Sequence, residues 1–248
     1  ASAAKYIATS CMEVYQDARV YDTGMICIIE IMGRHAGWLA GSAALASLTG
    51  CGPDLLYLPE VDFDMDRFIH DVKEIYGKTG KCMVAVSEGI HYADGRYVSE
   101  AEISATDGFG HVQLGGLATR LAHIIKLHTG AKVRGIELSL LQRCSTHIAS
   151  QTDIDEAYLA GKAAVEAAVR GETAKMAAIK RLSNQPYRVE TEMVDVTQVA
   201  NFEKTVPDEW ITADGMHVNE KFERYARPLI QAELTPIYIN GVPRHIHL

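Results

Sequence analysis

Between residues 3 and 19, Ile7, Cys11, Val14 and Tyr15 recur at intervals that place apolar side chains on one face of a helix, and Asp22-Thr23-Gly24 ends the pattern. The next seven residues, Met25-Ile26-Cys27-Ile28-Ile29-Glu30-Ile31, are apolar almost without interruption. A strand wet on one face alternates, so this unbroken run predicts a parallel strand covered on both faces. Gly33-Arg34-His35-Ala36-Gly37 then turns the chain into an Ala-rich stretch, residues 38–48, whose small side chains permit close packing of a helix on a sheet. A second strand is predicted over 55–60, ended by Pro59. The acidic run from Asp62 to Asp66 favours a helix N-terminus, with the helix continuing to about Lys78 before Gly80.

The unit then repeats as a strand over 82–87, a polar loop containing Asp94-Gly95 and Asp107-Gly108, a helix over 112–129 and a strand over 133–140. Alternation of strand and helix predicts the α/β class: a parallel sheet between two helical layers, a three-layer sandwich with right-handed crossovers and ligands at the carboxyl ends of the strands. From Thr152 a capped helix, with Asp153 and Asp155 in its first turn, runs to Arg170 before Gly171, and a short strand follows over 176–179. Beyond Ser183 a polar, irregular tail is expected, punctuated by Pro186, Pro207, Pro228, Pro236 and Pro243. The change of composition near residue 150 divides the chain into an α/β domain, 1–150, and a helix-strand and irregular segment, 151–248.

The 48% hydrophobic content allows a substantial core, and the net charge of −8, with 24 Lys and Arg dispersed among 32 Asp and Glu, argues against a nucleic-acid surface. Five scattered cysteines, Cys11, Cys27, Cys51, Cys82 and Cys144, read as free thiols of a reducing compartment, so a soluble cytoplasmic protein is expected. Neither a membrane span nor the basic-then-apolar order of a signal peptide is apparent. The chain opens inside a helix without an initiator Met, as a truncated or processed piece would.

Three segments carry candidate chemistry. In the first, Met32, Gly33 and Arg34 stand at the carboxyl end of a strand where a helix is about to begin: Gly33 lets backbone approach a ligand, Arg34 can pair a phosphate, and a helix start offers free N–H groups. The same glycines would serve an ordinary tight turn beside a solvated arginine. In the second, Glu88 ends an apolar strand ahead of Gly89, fit either to accept hydrogen bonds from sugar hydroxyls or to cap and ion-pair. In the third, Arg134 and Arg143 flank the last strand of the series, with Gln142 beside the latter; a phosphate dianion needs more than one such donor, and surface ion pairs are the alternative. His217, His245 and His247 lack partners at metal-ligand spacing, Cys144 reads as a small packing residue, and Ser87 with His91 lacks the surroundings of a hydrolase nucleophile.

Ile29-Glu30-Ile31-Met32-Gly33-Arg34, Val84-Ala85-Val86-Ser87-Glu88-Gly89 and Leu141-Gln142-Arg143 occur in the order and spacing of the phosphofructokinase family, which the chain resembles over most of its length. Gly108-Phe109-Gly110-His111-Val112-Gln113-Leu114-Gly115-Gly116 and Tyr225-Ala226-Arg227-Pro228-Leu229-Ile230 are similar to its longer, pyrophosphate-type branch. The resemblance implies a phosphofructokinase-like fold whose N-terminal donor-binding domain is largely missing from these residues. It also implies transfer of a phosphoryl group to the 1-hydroxyl of fructose 6-phosphate, with Mg²⁺ and ATP or pyrophosphate as donor. Met32, Gly33 and Arg34 would hold the sugar phosphate, Glu88 its hydroxyls and Arg143, beside Gln142, its 6-phosphate. Arg134 would reach a neighbouring subunit of a homo-oligomer, a dimer or tetramer. Met25 and Leu140 replace an arginine and a histidine of the bacterial ATP-dependent enzymes, which favours an unregulated or pyrophosphate-type relative. Neither the family's glycine-rich donor loop nor its acidic catalytic loop occurs here, so the resemblance implies acceptor binding without catalysis by this chain alone, Mg²⁺ ligands elsewhere, and apolar surface exposed beyond residue 150. A non-catalytic sugar-phosphate-binding module is the alternative.

Overall fold

The computed structural model describes residues 1–99 and 116–244. Helix α1, Ser2–Val20, precedes strand β1, Met25–Ile31, and a short helix α2, Trp38–Gly41, that continues as a 3₁₀ segment over Ser42–Thr49. Strand β2, Leu55–Tyr57, helix α3, Met65–Thr79, and strand β3, Lys81–Ser87, follow. Helix α4, Leu117–Thr129, leads to strand β4, Val133–Glu137, and the short helix α5, Leu141–Cys144. Helix α6, Gln151–Val169, strands β5, Lys175–Asn184, and β6, Tyr187–Asp195, and helix α7, Glu220–Ala226, complete the described elements that matter below.

The sheet has the order β2-β3-β1-β4 and is parallel throughout. All seven residues of β1 are buried, as the unbroken apolar run requires. Because side chains alternate across a strand, Met25, Cys27, Ile29 and Ile31 enter one core with α1, the 3₁₀ segment and α7, while Ile26 and Ile28 enter the other with α3 and α4. The sheet thus lies between two helical layers, the three-layer α/β arrangement expected. α3 begins where its acidic run ends: the Asp64 side chain accepts the Arg67 N–H at 2.9 Å, and Gly80 closes the helix with φ 69°.

The structure departs from the sequence expectations in several elements. The helix expected over 38–48 has one α-helical turn and then tightens to 3₁₀, at the point where Gly41 receives the Phe222 ring against its backbone. α6 is not capped by Thr152, whose hydroxyl is drawn to the Pro228 and Gln231 carbonyls at 3.4 and 3.3 Å. The short strand expected over 176–179 lies within the longer β5, and the start of the tail expected to be irregular beyond Ser183 is instead β6, its antiparallel hairpin partner, in which Tyr187, Val189, Thr191 and Met193 alternate with Arg188, Glu190 and Glu192. Pro186 lies in its turn, outside the ladder, where a missing N–H costs nothing. Residues 206–226 return to the first core, burying Val206, Val218, Phe222 and Ala226. The expected loop at Asp107-Gly108, the segment 108–115 and His245 and His247 lie outside the described residues. Among the described residues no helix is long and apolar enough to cross a membrane.

Candidate functional site

β1 and β3 are hydrogen-bonded neighbours in register, Ile31 opposite Ser87, so the loops leaving their carboxyl ends emerge side by side. Gly33 holds φ 142°, a conformation that side chains resist, and a Cβ there would lie 2.8 Å from the Ala36 carbonyl oxygen. Gly89 is more constrained, since its Cβ would fall 1.7 Å from the carbonyl oxygen of Arg34. The two loops therefore interlock at backbone distance. Ser87, fully buried, ties them further: its hydroxyl donates to the Gly33 carbonyl and accepts the Gly89 N–H at 3.3 Å. A serine so engaged has no hydroxyl to spare as a nucleophile.

Glu88 meets the same loop from β3. One carboxylate oxygen accepts the Gly33 N–H at 3.2 Å. Burial pushes its carboxyl above the ordinary value, opposed by that N–H and by the nearby Arg34 charge, and reinforced by Glu137. From the other side, Gln142 accepts the Met32 N–H at 3.3 Å while its amide donates to the Ser139 carbonyl at 2.9 Å, which fixes the short turn carrying Arg143 against the Met32–Arg34 loop. Met32, Gly33, Arg34, Glu88 and Gln142 are thereby joined into one assembly. Arg143 is exposed beside Gln142 and lines a cleft of about 440 Å³ with Ser2, Thr146 and Asp153; Arg34 is not part of that lining. Arg134 sits opposite Cys27 on edge strand β4, three residues short of the strand's carboxyl end, and lines a separate groove with Asp17 of α1 and Tyr21 just beyond it. Cys144 is exposed, because it lies on the outer side of its turn, and so is not the packing residue expected; the other four cysteines are buried.

The helix start anticipated as an anion site is modest, since α2 is four residues long and the Gly37 N–H at its entrance already donates to Glu60 Oε1 at 2.8 Å. Two carboxylates escaped the sequence reading. Glu60 is one, three residues beyond the carboxyl end of β2, in a position comparable to that of Glu88 after β3. Glu30 is the other: it interrupts the β1 run, is 2% exposed, and accepts the Ala118 N–H of α4 at 2.8 Å with one oxygen while the other is buried without a partner. Burial pushes the Glu30 carboxyl up to about 7, the Ala118 and Leu117 N–H groups opposing the rise and Glu137 and Glu88 adding to it. Gly135 lets α4 come this close, because a Cβ there would lie 2.6 Å from the Ala118 carbonyl oxygen.

A family profile described as Phosphofructokinase matches residues 1–168. The chain is 44% identical over 246 residues to the pyrophosphate–fructose 6-phosphate 1-phosphotransferase of Halomonas elongata, covering 98% of this chain and 58% of that protein. It is 45% identical over 250 residues to the protein of the same description from Methylococcus capsulatus, covering 100% and 59%. The crystal structure of a pyrophosphate-dependent phosphofructokinase from Nitrosospira multiformis superposes with a TM-score of 0.85 at 36% identity, over 98% of this chain and 58% of that one. The chain spans less than two thirds of the length of these relatives. The matched profile, the shared sandwich and the interlocked Met-Gly-Arg and Ser-Glu-Gly loops agree: the chain belongs to the phosphofructokinase family.

Proposed function

We propose that this chain supplies the fructose 6-phosphate site of a cytoplasmic phosphotransferase that passes a phosphoryl group to the sugar's 1-hydroxyl, giving fructose 1,6-bisphosphate, with pyrophosphate as donor. The observation that carries the reading is the assembly at the carboxyl ends of β1 and β3, where Glu88 and Gln142 grip the Gly33 and Met32 amides and so hold the arginine-bearing loop and turn together. Arginine forks suit phosphate oxygens and a carboxylate suits sugar hydroxyls, so Arg34 and Arg143 serve the phosphate and Glu88 the ring. Pyrophosphate is preferred to ATP because relatives of 44 and 45% identity are named for it. Arg134, exposed on an edge strand, suits contact with a second subunit, which supports a homo-oligomer.

Mg²⁺ would neutralise the donor in such a transfer. The described residues do not fit its site. Their one convergent group of three candidate ligands, His70, Asp71 and Glu74, lies along α3, and Glu74 is spent on Lys78. Glu30 and Glu88, at the carboxyl end, each commit an oxygen to a backbone N–H. No step of the reaction is therefore assigned to groups of this chain beyond binding and orienting the acceptor.

Calorimetric titration of the chain with fructose 6-phosphate tests the reading. Arg34→Ala and Arg143→Ala should each weaken binding by about tenfold or more, the equivalent of about 1.4 kcal/mol. Absence of binding by the unaltered chain, or binding by both variants as tight as that of the unaltered chain, refutes it.

A further inference from the structure

Residues 203–210 cross the outside of the loop that follows β1. The Glu203 carboxylate meets His35 Nδ1 at 2.7 Å, and the Lys204 carbonyl accepts the Trp38 indole N–H at 2.6 Å. The Val206 N–H donates to Glu60 Oε1 at 2.8 Å, the same oxygen that accepts the Gly37 N–H at 2.8 Å. One carboxylate oxygen at the end of β2 thus joins two backbone segments far apart in sequence. Its other oxygen is buried without a partner, and a Cβ on Gly37 would stand 2.5 Å from it, so the carboxylate is packed flat against the loop. Val206 is fully buried, and Trp210 meets Trp38 edge-on with centroids 6.0 Å apart. The contacts of Glu203, Lys204 and Trp210 fall on His35 and Trp38, and Val206 is joined to Gly37 through Glu60, all immediately after Met32, Gly33 and Arg34.

We infer that residues 203–210 are a strap that fixes the sugar-phosphate loop, and that Glu60 is the positioning residue through which strap and loop are coupled. This deepens the function proposed above and rests on it for its consequence in binding. A loop with glycines at 33 and 37 loses conformational entropy when a ligand orders it, and the strap meets that cost on folding. Glu60 touches no substrate in this scheme. Truncating it strips two amides of their acceptor at once, and the effect passes to Arg34 through the backbone.

The chain has two tryptophans, and they face each other across this seam, so its intrinsic emission reports strap and loop together. Hydrogen exchange is measured first, without ligand. In Glu60→Ala the amides of 33–38 and of 203–206 should exchange at least about tenfold faster while β1 and β3 stay protected, with a shift in tryptophan emission. Glu60→Gln, which keeps an acceptor oxygen of the same size, should restore both. Loosening of only one segment, or equal loosening by Ala and Gln, overturns the coupling. Should Glu60→Ala expose β1 and β3 as well, Glu203→Ala takes its place, and unchanged exchange over 33–38 in that variant overturns the strap. Titration with fructose 6-phosphate follows: Glu60→Ala should weaken binding by about tenfold and Glu60→Gln by about twofold or less. Full affinity in a Glu60→Ala chain whose loop has loosened overturns the positioning role. Failure of the unaltered chain to bind the sugar phosphate refutes the proposed function instead, and the exchange result alone then decides the strap.

Discussion

The sandwich over residues 25–137 and the helix with its hairpin over 151–195 draw on similar residues, yet water reaches them very differently. Every residue of β1 is buried, whereas Ala167 is the one buried residue of the 19 in α6. Ile154, Tyr158, Val165 and Val169 of α6 are exposed, Val169 to 84%, and Met176, Ile179 and Leu182 of β5 are exposed as well. A sheet sealed between two helical layers draws its stability from burial on both faces; a two-stranded hairpin against one helix has only one face to bury. The exposed apolar surface expected beyond residue 150 is thus present, in a chain that spans about three fifths of its curated relatives.

The sharpest way to break this contrast is a matched pair of truncations. Phe68 of α3 is fully buried, and Phe68→Ala should cost about 3–5 kcal/mol in chemical unfolding, whereas Val165→Ala should stay within about 0.5 kcal/mol. Equal losses would show that α6 is packed after all.

A second contrast is electrostatic. Carboxylates of the hairpin such as Glu190 and Glu192 share Lys180 in water at 3.5 and 3.4 Å, pairs of little consequence. Glu30, facing Glu88 and Glu137, is held near 7 against an ordinary 4.5, so the folded state binds its proton more tightly than the unfolded state. Its stabilising contribution is complete below about pH 4.5 and is lost as the pH rises towards 7, a loss on the order of 3 kcal/mol. Unfolding followed across that range should show the decline, and Glu30→Gln should flatten it; a slope unchanged in the variant would assign the pH dependence elsewhere.

The finest comparison uses glycine. Gly89→Ala forces a methyl into the Arg34 carbonyl and should destabilise by about 1–3 kcal/mol, while Gly161→Ala on α6, with nothing within 4 Å of the added carbon, should stabilise by about 1 kcal/mol through helix propensity. Thermal melts of the two variants should move in opposite directions.

Much of the sandwich was legible because its signals are local. The run from Met25 to Ile31 marks β1 to the residue, and Asp64 and Gly80 bracket α3. The second hairpin strand, β6, was not legible although Tyr187 to Asp195 alternates with period two, because its inward positions include a tyrosine and a threonine and a proline sits in the turn. At the site, Gly33, Arg34 and Glu88 stood out by residue type at strand ends. The bonds that make them one assembly join residues 55 and 110 positions apart, Glu88 with Gly33 and Gln142 with Met32. Glu60 reads as any strand-terminal acid until Val206, 146 positions away, lies against it.

Over the sandwich, the sequence by itself determined the strands of the sheet and the faces that β1 and α3 bury, since hydrophobic period and capping act over a few residues. Tertiary structure alone decided which carboxylate meets which amide. The order β2-β3-β1-β4 sets the Glu60, Glu88 and Gly33 loops along one sheet edge, and the returning chain lays Val206 against Glu60. A hydrogen bond needs contact at about 3 Å, and no periodicity along the chain encodes contacts between segments that only packing brings together.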